Sequence, residues 1–286
     1  MIEAAATANT MKVIDAQVHL WRANTPDRPW PADRAEGAHG PSLEAEQMLA
    51  MMNEAGVARA VIVPPSWEGD RNDCALDAAA RFPDRFAIMG RLAIEDLSSR
   101  ERIADWKNQA GMLGMRFTFH GAQHKQWLAD GTADWLWSQA QEHGVPLMVN
   151  VPGSVRVMDR VAEQHPGLRL TIDHLACAAN KKDEEAHSEI EDLIRLARHP
   201  HVSVKASAVA RYTAESYPYP NTQLKLRRIF DAYGPQRFFW GSDISRLPCT
   251  YRQAITLFTQ ELNWLSPQDQ EWVMGRALCE WLDWVY

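Results

Sequence analysis

Eight short apolar runs, separated by stretches that mostly carry helical periodicity, constrain the fold of this chain more than any other feature. The runs fall at residues 13–21, 58–63, 86–92, 112–119, 145–151, 168–174, 202–207 and 237–241. Between them lie amphipathic stretches. Ser42 opens one in which Met48, Met51, Met52 and Ala55 share a face and Gly56 ends it, and 72–81 repeats the pattern through Leu76, Ala79 and Ala80. Further helices are expected near 101–110, over the Trp-rich 134–143 closed by Gly144, and at 155–165, 188–198 and 224–233. A last one starts at Ser266-Pro267 and runs to Trp281 and Trp284. Eight strands alternating with helices are what a (β/α)8 barrel requires. A doubly wound sheet needs fewer and opens on a Gly-rich turn, which this chain lacks, as it lacks a P-loop and internal repeats. The pattern therefore predicts an α/β protein, a single (β/α)8 TIM barrel over 12–286 behind a loose tail at 1–11.

Length alone does not choose between one large barrel and two ordinary domains, because 286 residues suit either. Composition narrows the class. Hydrophobic residues at 46% and charged residues at 23% provide a sizeable core. A net charge of −7, with no stripe of Lys or Arg, argues against nucleic acid or an anionic membrane and favours a small-molecule substrate. Cys74, Cys177, Cys249 and Cys279 lie far apart without a CxxC pair, which fits a reducing cytoplasm. Neither a secretory leader nor a membrane-spanning run is legible, and an oligomer is compatible with everything above.

The first run, Val13-Ile14-Asp15-Ala16-Gln17-Val18-His19-Leu20-Trp21, is unusual. With a strand period of two, Asp15, Gln17 and His19 share one face and Ile14, Ala16, Val18 and Leu20 the other. Either the strand lies at an exposed edge or its polar face lines a site. Residues 22–41, rich in Pro and holding Trp30, read as a loop folded over something.

In a barrel of this kind the site lies at the carboxyl ends of the strands. Those ends are polar here: Gln17 and His19, Ser66, Arg116 and Thr118, Asn150, Asp173 and His174, Lys205 and Ser207, Ser242 and Asp243. Singly, each has a bland reading, since a strand-end His is commonly structural and an Asp after a strand commonly caps the next helix. His120 and His124 read as solvated surface. Lys205 reads as half of a salt bridge inside the barrel. Trp21, Trp30 and Trp67 are placed to line a pocket or to pack.

In combination, Asp15-Ala16-Gln17-Val18-His19-Leu20-Trp21, Val63-Pro64-Pro65-Ser66-Trp67, Met115-Arg116-Phe117, Asp173-His174-Leu175, Val204-Lys205-Ala206-Ser207 and Gly241-Ser242-Asp243 resemble, in order, the landmarks of the amidohydrolase superfamily. The branch most similar is that of the 2-pyrone-4,6-dicarboxylate lactonase-like hydrolases, and the likeness runs from Lys12 onward. It implies hydrolysis of a small, anionic lactone or cyclic ester. Asp243 would take a proton from water, and His19 and His174 would polarise the carbonyl directly or through one divalent metal. Arg116 and Arg211 stand where such lactonases bind carboxylates, with Ser66, Trp21, Asn150 and Gln17 as further substrate contacts.

The chain departs from the family pattern at the metal. The resemblance implies an HxH pair on strand one and a His on strand five, but Gln17 and Asn150 occupy those positions. His19, His174 and Asp243 remain as ligands for a weakly held zinc or manganese ion, and metal-free hydrolysis, which the resemblance also allows, is the other reading. An Arg expected just after the strand-six His is absent, Leu175, Ala176 and Cys177 standing there, so a monoacid is as fitting a substrate as a dicarboxylate. Two rivals stay open: a metal-dependent nonoxidative decarboxylase or hydratase of an aromatic acid on the same barrel, and a binder of a small acid that turns nothing over.

Overall fold

Each apolar run becomes a strand, and the strands pair in chain order. In the computed structural model, which describes residues 11–32, 40–178 and 180–286, these are β1 (Ile14–Val18), β2 (Arg59–Ile62), β3 (Phe86–Gly90), β4 (Met112–Thr118), β5 (Leu147–Asn150), β6 (Leu170–Ile172), β7 (Val202–Ser207) and β8 (Phe238–Gly241). They form one eight-stranded parallel sheet in the order β1 to β8, the predicted (β/α)8 barrel. The expected loose tail falls on residues 1–10, outside the described residues apart from Met11.

Strand alternation divides the core in two. Val61, Met89, Met148 and Phe239 point to an inner cluster, joined by Ile14 and Ala16 and by Ala277, Leu278, Cys279 and Leu282 of the C-terminal helix. Their neighbours Ile62, Ile88, Leu147, Val149, Phe238 and Trp240 belong to the larger layer between strands and helices. No helix among the described residues is long and apolar enough to cross a membrane.

The expected polar face of β1 is corrected by a bulge. Asp15 pairs with Ala60 but Val18 with Ile62, so β1 carries one residue more than β2 over this span. The extra residue shifts the phase of alternation. Ile14 and Ala16 stay in the inner cluster, while Gln17 and His19 open on the cavity described below. Asp15 turns instead to the seam between β1 and β8. There it accepts the backbone N–H groups of Gln17 (2.9 Å) and Ser242 (2.8 Å), the Ser242 hydroxyl and the Tyr251 phenol (2.6 Å). Burial raises its carboxyl above the usual carboxylate range, against the pull of those donors.

Three helix expectations change. The first helix, Ala45–Ala55, is capped by a reciprocal Glu44/Gln47 box rather than by Ser42, and Gly56 closes it with φ 79°. The stretch 101–110 forms no α-helix. Leu97–Arg102 and Trp106–Asn108 are short 3₁₀ segments, because Asp96 accepts from Ser98 N–H (2.9 Å) and Asp105 from Asn108 (2.8 Å), local bonds that compete with a helical ladder. A helix at Ala122–Ala129 has no counterpart in the reading above, since none of its residues is buried and it carries no apolar stripe.

Candidate active site

A cavity of about 390 Å³ opens at the carboxyl ends of the strands. Of the residues singled out in the sequence, Gln17, His19, Ser66, Arg116, Asn150, His174, Arg211 and Asp243 all line it. Trp21 does not. It lies fully buried behind Trp67, edge-on at 5.5 Å, with its indole N–H on the Gly40 carbonyl (3.2 Å), so Trp67 is the aromatic wall and Trp21 its support. Trp30 donates to the Arg22 carbonyl (3.2 Å) and is likewise absent from the lining. His120 and His124, read above as solvated surface, are part of the wall. Arg246 was not foreseen. It follows Gly241-Ser242-Asp243 in the turn Ile244–Arg246, and its guanidinium lies 4.6 Å over the Trp67 ring.

The backbone is strained where it presents these groups. His174 (φ 53°), Leu175 (53°), Ala176 (58°), Ala208 (56°) and Asp243 (51°) all sit in the left-handed region at the ends of β6, β7 and β8. Each costs on the order of 1–3 kcal/mol, a cost that the packed barrel around them sustains. Gly241 marks a close approach of strands. A Cβ there would stand 3.2 Å from Ser207 Cβ and 3.3 Å from Ala16 Cβ, so β8 approaches β1 and β7 closely just before Ser242 and Asp243.

Asp243 is buried, with its backbone N–H on the Gln17 carbonyl (3.0 Å) and Oδ1 3.0 Å from His19 Nε2. Burial would raise its carboxyl, but His19 first, then His174 and Arg246, outweigh that and hold it below the usual carboxylate range. It is therefore a carboxylate at neutral pH. His19 Nδ1 lies 2.6 Å from the Val63 carbonyl, which only accepts, so that nitrogen carries a proton. Burial pushes the His174 imidazole down to about 4, against Asp243 and Asp173, so it is neutral. Its Nδ1 meets the Ser207 hydroxyl at 2.8 Å.

Beneath the cavity, Asp173 is fully buried between two cations. Its Oδ2 takes Arg116 Nε at 2.9 Å and its Oδ1 pairs with Lys205 Nζ at 2.8 Å. Burial works to raise its carboxyl, and Lys205 and Arg116 overcome it, holding the group at about 2. Lys205, itself wholly buried, is the salt-bridge partner expected of it. Arg116 also donates to Thr118 Oγ1, which fixes its guanidinium in the cavity wall.

The amide of Gln17 stands between the two imidazoles, its Nε2 3.3 Å from His19 Nε2 and 3.4 Å from His174 Nε2. Two imidazoles and a carboxylate are a donor set that zinc accepts. As arranged they do not fit an ion, because a side-chain group occupies the space between the imidazole nitrogens. Among the described residues no three His, Cys, Asp or Glu side chains are grouped to hold a metal.

Comparison with known proteins agrees with this architecture. A 4-sulfomuconolactone hydrolase of Hydrogenophaga intermedia is 26% identical over 211 residues, 71% of this chain, and this chain spans 65% of that relative's length. An L-fucono-1,5-lactonase of Burkholderia multivorans is 24% identical over 259 residues, covering 85% of this chain and 86% of the relative. Among solved structures, an amidohydrolase from Burkholderia multivorans with bound zinc superposes with a TM-score of 0.79 at 20% identity, covering 95% of this chain and 99% of that one. The amidohydrolase family model matches residues 14–277, and this chain belongs to that family.

Proposed function

We propose that this protein hydrolyses a small anionic lactone or cyclic ester, with water activated by Asp243. One observation carries the reading: a buried carboxylate, kept ionised by His19 at 3.0 Å, faces a cavity whose wall holds three guanidinium groups, Arg116, Arg211 and Arg246. A base that stays charged in a buried site is ready to take a proton from water. A wall with three cations to one carboxylate favours an acid. The lactonases among its relatives support the same chemistry.

In the proposed sequence, Asp243 takes a proton as the water oxygen bonds to the acyl carbon. The developing oxyanion faces His19 and Arg116. When the ring C–O bond breaks, the leaving alkoxide takes up the proton held by Asp243, which returns to carboxylate. His174 acts as a neutral group, oriented by Ser207. The rival decarboxylase needs a firmly held ion as electron sink, and the Gln17 amide between the imidazoles is poorly suited to hold one. A zinc or manganese ion would engage His19, His174 and Asp243 only after Gln17 moved aside, which makes its binding weak.

Arg211→Met is expected to raise KM for an acidic substrate about tenfold or more, the worth of a charged hydrogen bond, and to do so more at low salt. Steady-state kinetics at two ionic strengths check this. An unchanged KM at both would place the carboxylate clamp elsewhere. Arg211 is a cleaner test than Arg116, which also holds Asp173.

A further inference from the structure

The backbone on both sides of Asp243 is tied to a carboxylate that does not line the cavity. Asp15 Oδ1 accepts the N–H groups of Ser242 (2.8 Å) and Gln17 (2.9 Å), and its Oδ2 accepts the Ser242 hydroxyl. That hydroxyl in turn accepts the Ile244 N–H at 3.0 Å, so the residues before and after Asp243 are both anchored to Asp15. The N–H of Asp243 itself goes to the carbonyl of Gln17, a residue that Asp15 also holds. Asp243 needs such ties, because its φ of 51° is a left-handed conformation that a residue other than glycine keeps only where its surroundings impose it.

Asp15 is held in turn by Tyr251, whose phenol donates to Oδ2 at 2.6 Å. Tyr251 is the first residue of the helix Tyr251–Thr256, whose start is fixed by a reciprocal Thr250/Gln253 box, and its ring stacks on Trp240 at 6.4 Å. Asp15, Ser242 and Tyr251 are all buried. Away from water a carboxylate depends on each donor that reaches it, and bonds to a charged acceptor are about twice as strong as neutral ones. Three of the four donors to Asp15 belong to the strand ends that shape the site. The fourth, Tyr251, comes from the helix beyond β8. We propose that Tyr251, acting through Asp15, is a positioning residue for Asp243: it fixes the aim of the base without touching the substrate. The proposal rests on the reading of Asp243 as base and says what holds it in place.

Tyr251→Phe tests this, since it keeps the ring on Trp240 and removes only the phenol oxygen. It is expected to lower kcat for an anionic lactone by about tenfold or more with KM within about twofold, because the base is misaimed while Arg116 and Arg211 stay where they are. The backbone amides of Ser242 and Ile244 should exchange with deuterated solvent about tenfold faster, read by mass spectrometry on the peptide that spans them. Tyr233→Phe is the matched control. It also loses a buried phenol, one that donates to the Leu193 carbonyl at 2.8 Å, outside the cavity lining. This control is expected to keep wild-type kcat and wild-type exchange at the Asp243 turn, whatever it loses in stability. Ser242→Ala cuts the link from Ile244 to Asp15 and should act as Tyr251→Phe does, less than additively with it. It carries the test if Tyr251→Phe does not fold.

Lower kcat at constant KM, together with faster exchange confined to the Asp243 turn, supports the assignment. Wild-type kcat in Tyr251→Phe, a loss of kcat without faster exchange at the turn, or equal losses in Tyr233→Phe overturns it and leaves the lactonase reading intact. A wild-type protein that turns over no lactone removes that reading instead, and the exchange measurement then decides by itself whether Tyr251 holds the turn.

Discussion

Asp243→Asn is expected to lower kcat by about a hundredfold or more, with KM for the lactone little changed, because only the base is lost. Several features make this substitution informative. Asp243 adopts φ 51°, a conformation that Asn tolerates nearly as well as Asp, so the turn into Ile244–Arg246 should persist. Its backbone N–H remains on the Gln17 carbonyl. An amide can still hydrogen-bond His19 Nε2, so the imidazole keeps its place, but an amide cannot accept a proton from water. Pre-steady-state kinetics with purified variant and matched wild type would measure the loss. A variant keeping more than about a tenth of the wild-type kcat would assign the base elsewhere.

The second large effect is structural. Asp173→Asn is expected to destabilise the fold by about 3–5 kcal/mol, because it leaves two cations in the barrel interior without their counter-charge. Lys205 is wholly buried, and among the described residues its other hydrogen-bonding contact is the Met148 sulfur at 3.4 Å, so no second anion there takes over as a direct partner. Urea denaturation with a well-defined m-value gives the number. Lys205→Met in the same background should recover part of it, since the stranded ammonium is what costs most. A loss below about 1 kcal/mol for the single variant would contradict the description of the charged cluster. The cluster also has a functional side. Asp173 fixes Arg116, so the surviving variant should show a raised KM.

Much of this was legible in residue order. Alternation of apolar runs and helical stretches gave the barrel, because the period of a strand and that of a helix differ enough to be read by eye. Strand-end polarity gave Gln17, His19, Arg116, Asn150, His174 and Asp243, because in a parallel barrel those ends share one rim, and Arg211 came from the family resemblance. Other features depend on contacts between distant segments. The bulge that separates Asp15 from Gln17 leaves no mark in the sequence of β1, since it is defined by the register against β2. Arg246 reaches the cavity only because the backbone turns at Asp243, and His124 because an unpatterned helix follows β4, with His120 just ahead of it. Trp21 was misplaced for the opposite reason: nearness to a strand end says nothing about whether Trp67 stands in front of it.

The central claim is that water is activated by a carboxylate–histidine site in which the Gln17 amide stands between the imidazoles. The direct measurement is turnover of an anionic lactone by protein dialysed against chelator, with metal content determined by mass spectrometry on the same sample. The account predicts substoichiometric metal and retained turnover in the wild type, and higher metal occupancy without a required gain in rate for Gln17→His. A wild-type protein that carries one full equivalent of zinc and loses all activity on dialysis would contradict it.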